Sequence, residues 1–172
     1  MKIPSIYQQI TDLTKSPEQK QQEINISEVW HLNSHLQMRY DVLETTNILK
    51  NCAQSPELRL ILNSGIETLQ NQIHKIEKIM GDYGIPFPAR PPFDAKTIAN
   101  VEMITDRYIF RRILRGIQDM IHVHAMAFTQ STMPVLREQF KIFLFQEIEI
   151  YDKLFQYGKI KEFLETPPHY KS

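Results

Sequence analysis

The chain has 172 residues, enough for one domain with a substantial core. Its 20 Lys+Arg balance 20 Asp+Glu, which excludes the broad basic field of a nucleic-acid binder, and its single cysteine, Cys52, excludes a disulfide framework and a cysteine-based zinc site. No stretch approaches the ~20 apolar residues of a membrane span, and the first residues lack the apolar run of a signal peptide, so a soluble, cytoplasmic chain is expected unless it is assembled onto a larger structure.

Residues 1–24 are polar, contain Pro4 and Pro17, and read as an N-terminal extension with one amphipathic turn at Ile6–Leu13. Asn25-Ile26-Ser27-Glu28 has the form of a capping box, with Glu28 placed to reach back to the Asn25 amide. The first long helix runs from there to about Asn51. Ser55-Pro56-Glu57 starts the second with a cap, a proline in the first turn and an acid at the positive end of the dipole. Leu62, Ile66, Leu69, Ile73, Ile76 and Met80 form its seam at alternating spacings of four and three, and Gly81 ends it.

Gly81 to Asp94, GDYGIPFPARPPFD, holds four of the ten prolines and two of the five glycines, so no helix passes through it. About a dozen residues in polyproline-like geometry span ~40 Å at ~3.1 Å each, close to the length of a helix of about 27 residues. The connector can therefore run the whole length of a bundle and make the third long helix parallel to the second. An up-down-up-down bundle with a compact loop is the alternative. Asp94 caps the third helix, which reaches about Thr129 with Met103, Phe110, Ile113, Ile117, Met120, Ile121 and Phe128 as its stripe. Ser131 or Thr132, with Pro134 shortly after, starts the fourth, whose stripe is Leu136, Phe140, Phe143, Ile150 and Leu154. Gly158 reads as its C-cap, one more turn fits Lys159–Leu164, and Pro167-Pro168 ends regular structure. The expected fold is all-α: an extension over 1–24, then a four-helix bundle with a C-terminal tail over 25–172, with a long proline-rich crossover between the second and third long helices.

At ~100° per residue, each long helix directs polar residues toward the apolar side. On the first, Glu28, His35, Arg39 and Thr46 fall between two groups of apolar residues, with His31 at the edge of the buried arc. Glu77 lies at the edge of the second helix's seam, and His124 and Glu147 lie on the core sides of the third and fourth. With the crossover topology, Glu28, His35, Glu77 and His124 fall near one end of the bundle, and Glu147 falls nearer the level of Arg39. Inward carboxylates and histidines build di-metal sites in bundles, through a Glu from two helices and Glu-x-x-His from the other two. Glu28 and His31 have that spacing, but Glu147 has no histidine three residues on. Each residue also has a structural explanation. Glu28 is a capping acid, His35 and His124 are hydrogen-bonded core histidines, and Glu147 with Arg39 is a buried ion pair. Arg107, Arg111, Arg112 and Arg115 read as a solvated face. Phe145 and Phe155 lie off the Phe143 face, and Trp30, Ile26 and Ile48 lie opposite the main arc of the first helix, so both helices have a second apolar face.

Glu28-Val29-Trp30 at the opening of the first long helix, the proline-rich crossover and the ending YDKLFQYGKIKEFLETPPHY resemble the spore coat protein F-like family of ferritin-like proteins from spore-forming bacilli, also described as a domain of unknown function. The resemblance covers about residues 25–170, and Tyr157-Gly158-Lys159 followed by Pro167-Pro168 and Tyr170 carries most of it. The family tends to have Gly-Trp where this chain has Glu162-Phe163. The resemblance implies a ferritin-like four-helix bundle and an association with sporulation, and it brings no established catalytic activity with it. The expected function is a non-enzymatic structural or interaction protein of the spore coat, in the mother-cell cytoplasm or the coat itself. Its expected partners are a second copy of itself and other coat proteins, without nucleic acid, membrane or cofactor. The competing expectation is a metal-binding protein holding iron or manganese on Glu28, His35, Glu77, His124 and Glu147.

Overall fold

Each long helix starts where the chain supplies a cap. The computed structural model describes residues 15–90, 104–165 and Tyr170, and among these it contains five helices and no strand. A short helix, α1 (Pro17–Gln21), precedes α2 (Ile26–Cys52), α3 (Pro56–Asp82), α4 (Asp106–Gln130) and α5 (Pro134–Ile160). Asn25 and Glu28 form the expected capping box on α2, Ser55 caps α3 and Thr105 caps α4. The expected start at Asp94 lies outside the described residues, as do Met103, Ile6–Leu13 and Pro167-Pro168, and the described helix begins at Asp106. Neither Ser131 nor Thr132 caps α5. Its N-cap is Met133, which has no side-chain oxygen to offer.

Two contacts set the topology. The amide N–H groups of Gln54 and Ser55, in the turn between α2 and α3, each donate to one oxygen of Asp106 at 2.7 Å. The start of α4 therefore lies beside the end of α2. At the other end of the bundle, Thr132 and Met133 donate their N–H groups to Glu28 Oε1 at 2.7 and 2.8 Å, which joins the start of α5 to the start of α2. The order is up, down, down, up, so the end of α3 at Asp82 and the start of α4 at Asp106 lie at opposite ends of the bundle. The compact-loop alternative would have put Asp106 beside the end of α3. The closest pairs are α2 with α3 and α4 with α5, while α2–α4 and α3–α5 close the ring. That leaves α2 and α5 facing each other across one diagonal.

The core divides in two along the bundle axis. Leu32, Leu36, Ile76, Met80, Phe140 and Phe143 pack at the end where α2 begins, and Leu58, Leu62, Ile109, Phe110, Leu154 and Tyr157 pack at the other. Full burial of such side chains contributes about 1.5–3 kcal/mol each. Between the two clusters every long helix places polar groups: Arg39 and Thr46 on α2, Gln72 on α3, His124 on α4 and Glu147 on α5, all buried.

Two helix ends correct the reading of glycines as stops. α3 continues through Gly81 to Asp82, and the left-handed residue is Gly84, at φ 62°. Ile85 N–H bonds to Met80 O at 2.8 Å and Gly84 N–H to Gly81 O at 3.1 Å, the paired bonds of a Schellman closure. Likewise α5 continues through Gly158 to Ile160. Its closure uses Glu162, at φ 56°, with Phe163 N–H on Gly158 O at 2.8 Å and Glu162 N–H on Lys159 O at 3.3 Å. Gly158 serves packing instead: a Cβ there would fall 2.2 Å from Phe110 Cζ.

Candidate functional site: the polar centre of the bundle

Glu28, His31, His35, Arg39 and Thr46 share one face of α2 at helical spacing, and all five are buried. The inward placing of Glu28, His35, Arg39 and Thr46 agrees with the periodicity. His31 differs: expected at the edge of the arc, it is completely buried. Its Nε2–H donates to Gln130 Oε1 at 2.9 Å, a partner at the end of α4. The signal available in the sequence was its place one turn before His35, on the same side as Leu32 and Leu36.

Three charged or titratable side chains from three helices meet midway along the axis. Arg39 Nη2 donates to Glu147 Oε2 at 2.8 Å and also to His124 Nε2. His124 Nε2 lies 3.5 Å from the same carboxylate oxygen. A guanidinium can donate only to an unprotonated imidazole nitrogen, so the proton of neutral His124 sits on Nδ1. Burial lowers the His124 pKa in the same sense. Burial would raise that of Glu147, but the Arg39 guanidinium outweighs it and holds the carboxyl below its usual range. His35 donates Nδ1–H to the His31 carbonyl at 2.7 Å, leaving Nε2 with a lone pair. Burial, then the proximity of His124, brings the His35 pKa down to about 3. The His35 and His124 rings are 5.1 Å apart, with Phe140 against the first and Phe143 against the second.

The other two candidate residues stand elsewhere. Glu28 sits at the bundle end with both oxygens occupied. Oε2 accepts the Asn25 N–H at 3.1 Å, and Oε1 accepts the N–H groups of Thr132 and Met133 and the Thr132 hydroxyl at 3.1 Å. One carboxylate thus caps its own helix and supplies the cap that α5 lacks. Glu77 lies on the seam between α2 and α3. It accepts the Tyr40 hydroxyl at 2.6 Å and an Arg90 N–H. Burial opposes its ionisation, and these two donors more than reverse that, so its pKa is lowered. Arg90 also lies over the Tyr40 ring, 5.2 Å from its centre, which clasps the first part of the crossover to α2 and α3.

The five candidates therefore occupy three places, and among the described residues no three His, Cys, Asp or Glu side chains form a group able to hold a metal ion. The donor set is partly committed: His124 Nε2 and Glu147 Oε2 face Arg39, whereas His31 Nδ1 and His35 Nε2 have no hydrogen-bond partner. Beside the pair lies a cavity of about 50 Å³, lined mainly by aliphatic side chains with Thr46, Gln72 and Glu147. The Gln72 side-chain oxygen is buried without a partner, while its Nε2 donates to Gln146 at 2.9 Å.

These features define an all-α, four-helix bundle protein with one long crossover, whose central charges neutralise one another. Residues 12–172 match the family described as a protein of unknown function, DUF3231, and the chain belongs to that family. Among solved structures it is similar to a candidate spore coat protein of Bacillus halodurans C-125. The likeness covers 88% of this chain and 99% of that one at 18% identity, with a TM-score of 0.79, and it establishes a shared fold. No curated protein sequence matches the chain. Among the described residues no helix is long and apolar enough to cross a membrane.

Proposed function

We propose that this protein is a non-enzymatic structural component of the spore coat or of its assembly, present in the mother-cell cytoplasm and then in the coat, with other coat proteins as partners. The observation that carries this reading is the state of the inward ionisable groups. Arg39 neutralises Glu147, Glu28 is used up as a double helix cap, and Glu77 clasps the crossover. A site built for turnover keeps an acid, base or nucleophile poised for a substrate, and here the carboxylates hold the protein together. The fold shared with the B. halodurans protein supports the setting. The single long crossover is the connectivity of ferritin-like bundles and supports that lineage for the fold. The test is deletion of the gene from its spore-forming host. Altered coat composition or spore resistance is expected, and an unchanged coat with unchanged resistance overturns the proposal.

A second reading, iron or manganese held in the bundle core, draws on the unpartnered Nε2 of His35, whose ring lies 5.1 Å from that of His124. Against it, the Arg39 guanidinium repels a cation at the same level. Elemental analysis of the purified protein and of a His35→Gln, His124→Gln variant decides it. Stoichiometric metal lost in the variant supports the site, and trace metal, or metal unaffected by the changes, rejects it.

A further inference from the structure

α5 carries a second seam on its solvent side. Glu138, Lys141, Phe145, Ile148, Asp152 and Phe155 follow one another at alternating spacings of three and four, the repeat of a coiled-coil stripe. The stripe lies opposite Leu136, Phe143 and Leu154, which fill the core. Phe145 is 58% exposed and Ile148 41%, and Phe155 is half-buried with its ring stacked on Tyr151 at 5.9 Å. Large apolar groups lined up between charges on one helix face mark an interaction surface.

We infer that this face docks on the same face of a second copy, the two α5 helices running antiparallel about a two-fold axis beside Gln146 and Glu147. The charge pattern selects that register. Phe145 then packs on Ile148 of the partner subunit, and Lys141 meets the partner's Asp152, each contact occurring twice by symmetry. In coiled-coil terms both layers join an a position to a d position, as antiparallel helices require. Slipping by one heptad sets Lys141 against the partner's Lys159 and Ile148 against the partner's Asp152. A parallel pair sets Lys141 on the partner's Lys141 and Asp152 on the partner's Asp152. Both alternatives bring like charges together, whereas in the antiparallel register Lys141 meets an opposite charge, and Glu138, level with the partner's Phe155 at the rim of the contact, keeps its bond to Lys141. Lys141 is held at the face by Glu138, 2.5 Å away, while Asp152 is exposed, with its charge open to a partner. One helix against one helix is a small contact, so a dissociation constant on the order of micromolar is expected. The inference stands on the residues of α5 and does not depend on a role in the coat.

The test is sedimentation equilibrium of the full chain up to about 100 μM, well above the expected dissociation constant. The mass should rise from 20.3 kDa toward twice that value. Phe145→Glu should remain at the single-chain mass with an unchanged helical circular dichroism spectrum, because the position is exposed. Lys141→Glu should weaken the dimer about tenfold or more, and combining it with Asp152→Lys should recover most of the loss. A wild-type chain that stays monomeric throughout overturns the inference. So does a dimer indifferent to Phe145→Glu, or a charge exchange that recovers nothing.

Discussion

Arg39 of α2 and Glu147 of α5 meet across the diagonal of the bundle, Nη2 to Oε2 at 2.8 Å, with side chains only 1% and 7% exposed. Mutual attraction in such a place offsets the cost of taking two charges out of water, and adds little beyond that. Loss of one partner is different, because a buried charge is then left uncompensated. Arg39→Met should lower unfolding stability by about 3–5 kcal/mol, and Arg39→Met with Glu147→Leu should return most of it. Urea unfolding of the two variants measures both; equal losses would show that the pair is not what Arg39 contributes.

Acid should destabilise the fold through its neutral core histidines. The His35 pKa of about 3 in the folded state lies below its ordinary 6.5, and that of His124 is lowered too. The unfolded chain therefore binds more protons than the folded one throughout that interval. Stability from His35 is complete above pH 6.5 and is lost progressively as pH falls toward 3, a total on the order of several kcal/mol. His124, Arg39 and His31 all face His35 and oppose its protonation. Urea midpoints measured from neutral pH downward should fall, and His35→Gln should flatten the part of the curve below pH 6.5. A wild-type midpoint that does not fall with acid contradicts the buried, neutral state of His35.

Removing the Glu28 carboxylate should cost more than an ordinary capping mutation. Glu28→Ala leaves the N–H groups of Asn25, Thr132 and Met133 without their acceptor, and each such loss costs on the order of 1 kcal/mol or more. A total of roughly 3 kcal/mol is expected, against ~1 kcal/mol for a single cap. Hydrogen exchange should show faster opening at both Asn25 and Thr132–Met133. Acceleration confined to the start of α2 would mean that the cap on α5 contributes nothing.

The C-terminal closure predicts two changes of opposite sign. Glu162 holds φ 56°, which suits glycine, so Glu162→Gly should raise stability by about 0.5–1 kcal/mol. Gly158→Ala places a methyl 2.2 Å from the Phe110 ring tip and should cost at least about 1–3 kcal/mol by overpacking. Thermal unfolding of the two variants checks both. A Gly158→Ala protein as stable as wild type would mean that Phe110 moves aside freely.

Helical periodicity is a local property, and much of this protein follows from it. The four long helices, the caps at Asn25 and Ser55, and the inward placing of Glu28, His35, Arg39, Thr46, His124 and Glu147 are all legible from spacing along the chain. The proline-rich stretch after Asp82 also makes the crossover legible, because its extended length matches a helix. That topology, with the rise per residue, already sets Arg39 and Glu147 at one level. What spacing cannot convey is how far a side chain reaches between helices and which neighbour satisfies it. Glu77 turned from the axis because Tyr40 and Arg90 offered it two donors. Glu28 stayed at the bundle end because α5 begins without a cap of its own. His31 was drawn inward by Gln130 from another helix. The glycines divide in the same way. A left-handed closure is a backbone state reached after the last turn, at Gly84 and Glu162, whereas Gly158 answers to a ring from α4. Local spacing thus sets the elements and their inward faces, while the meeting of particular polar groups depends on how the helices pack, because those partners lie on other helices.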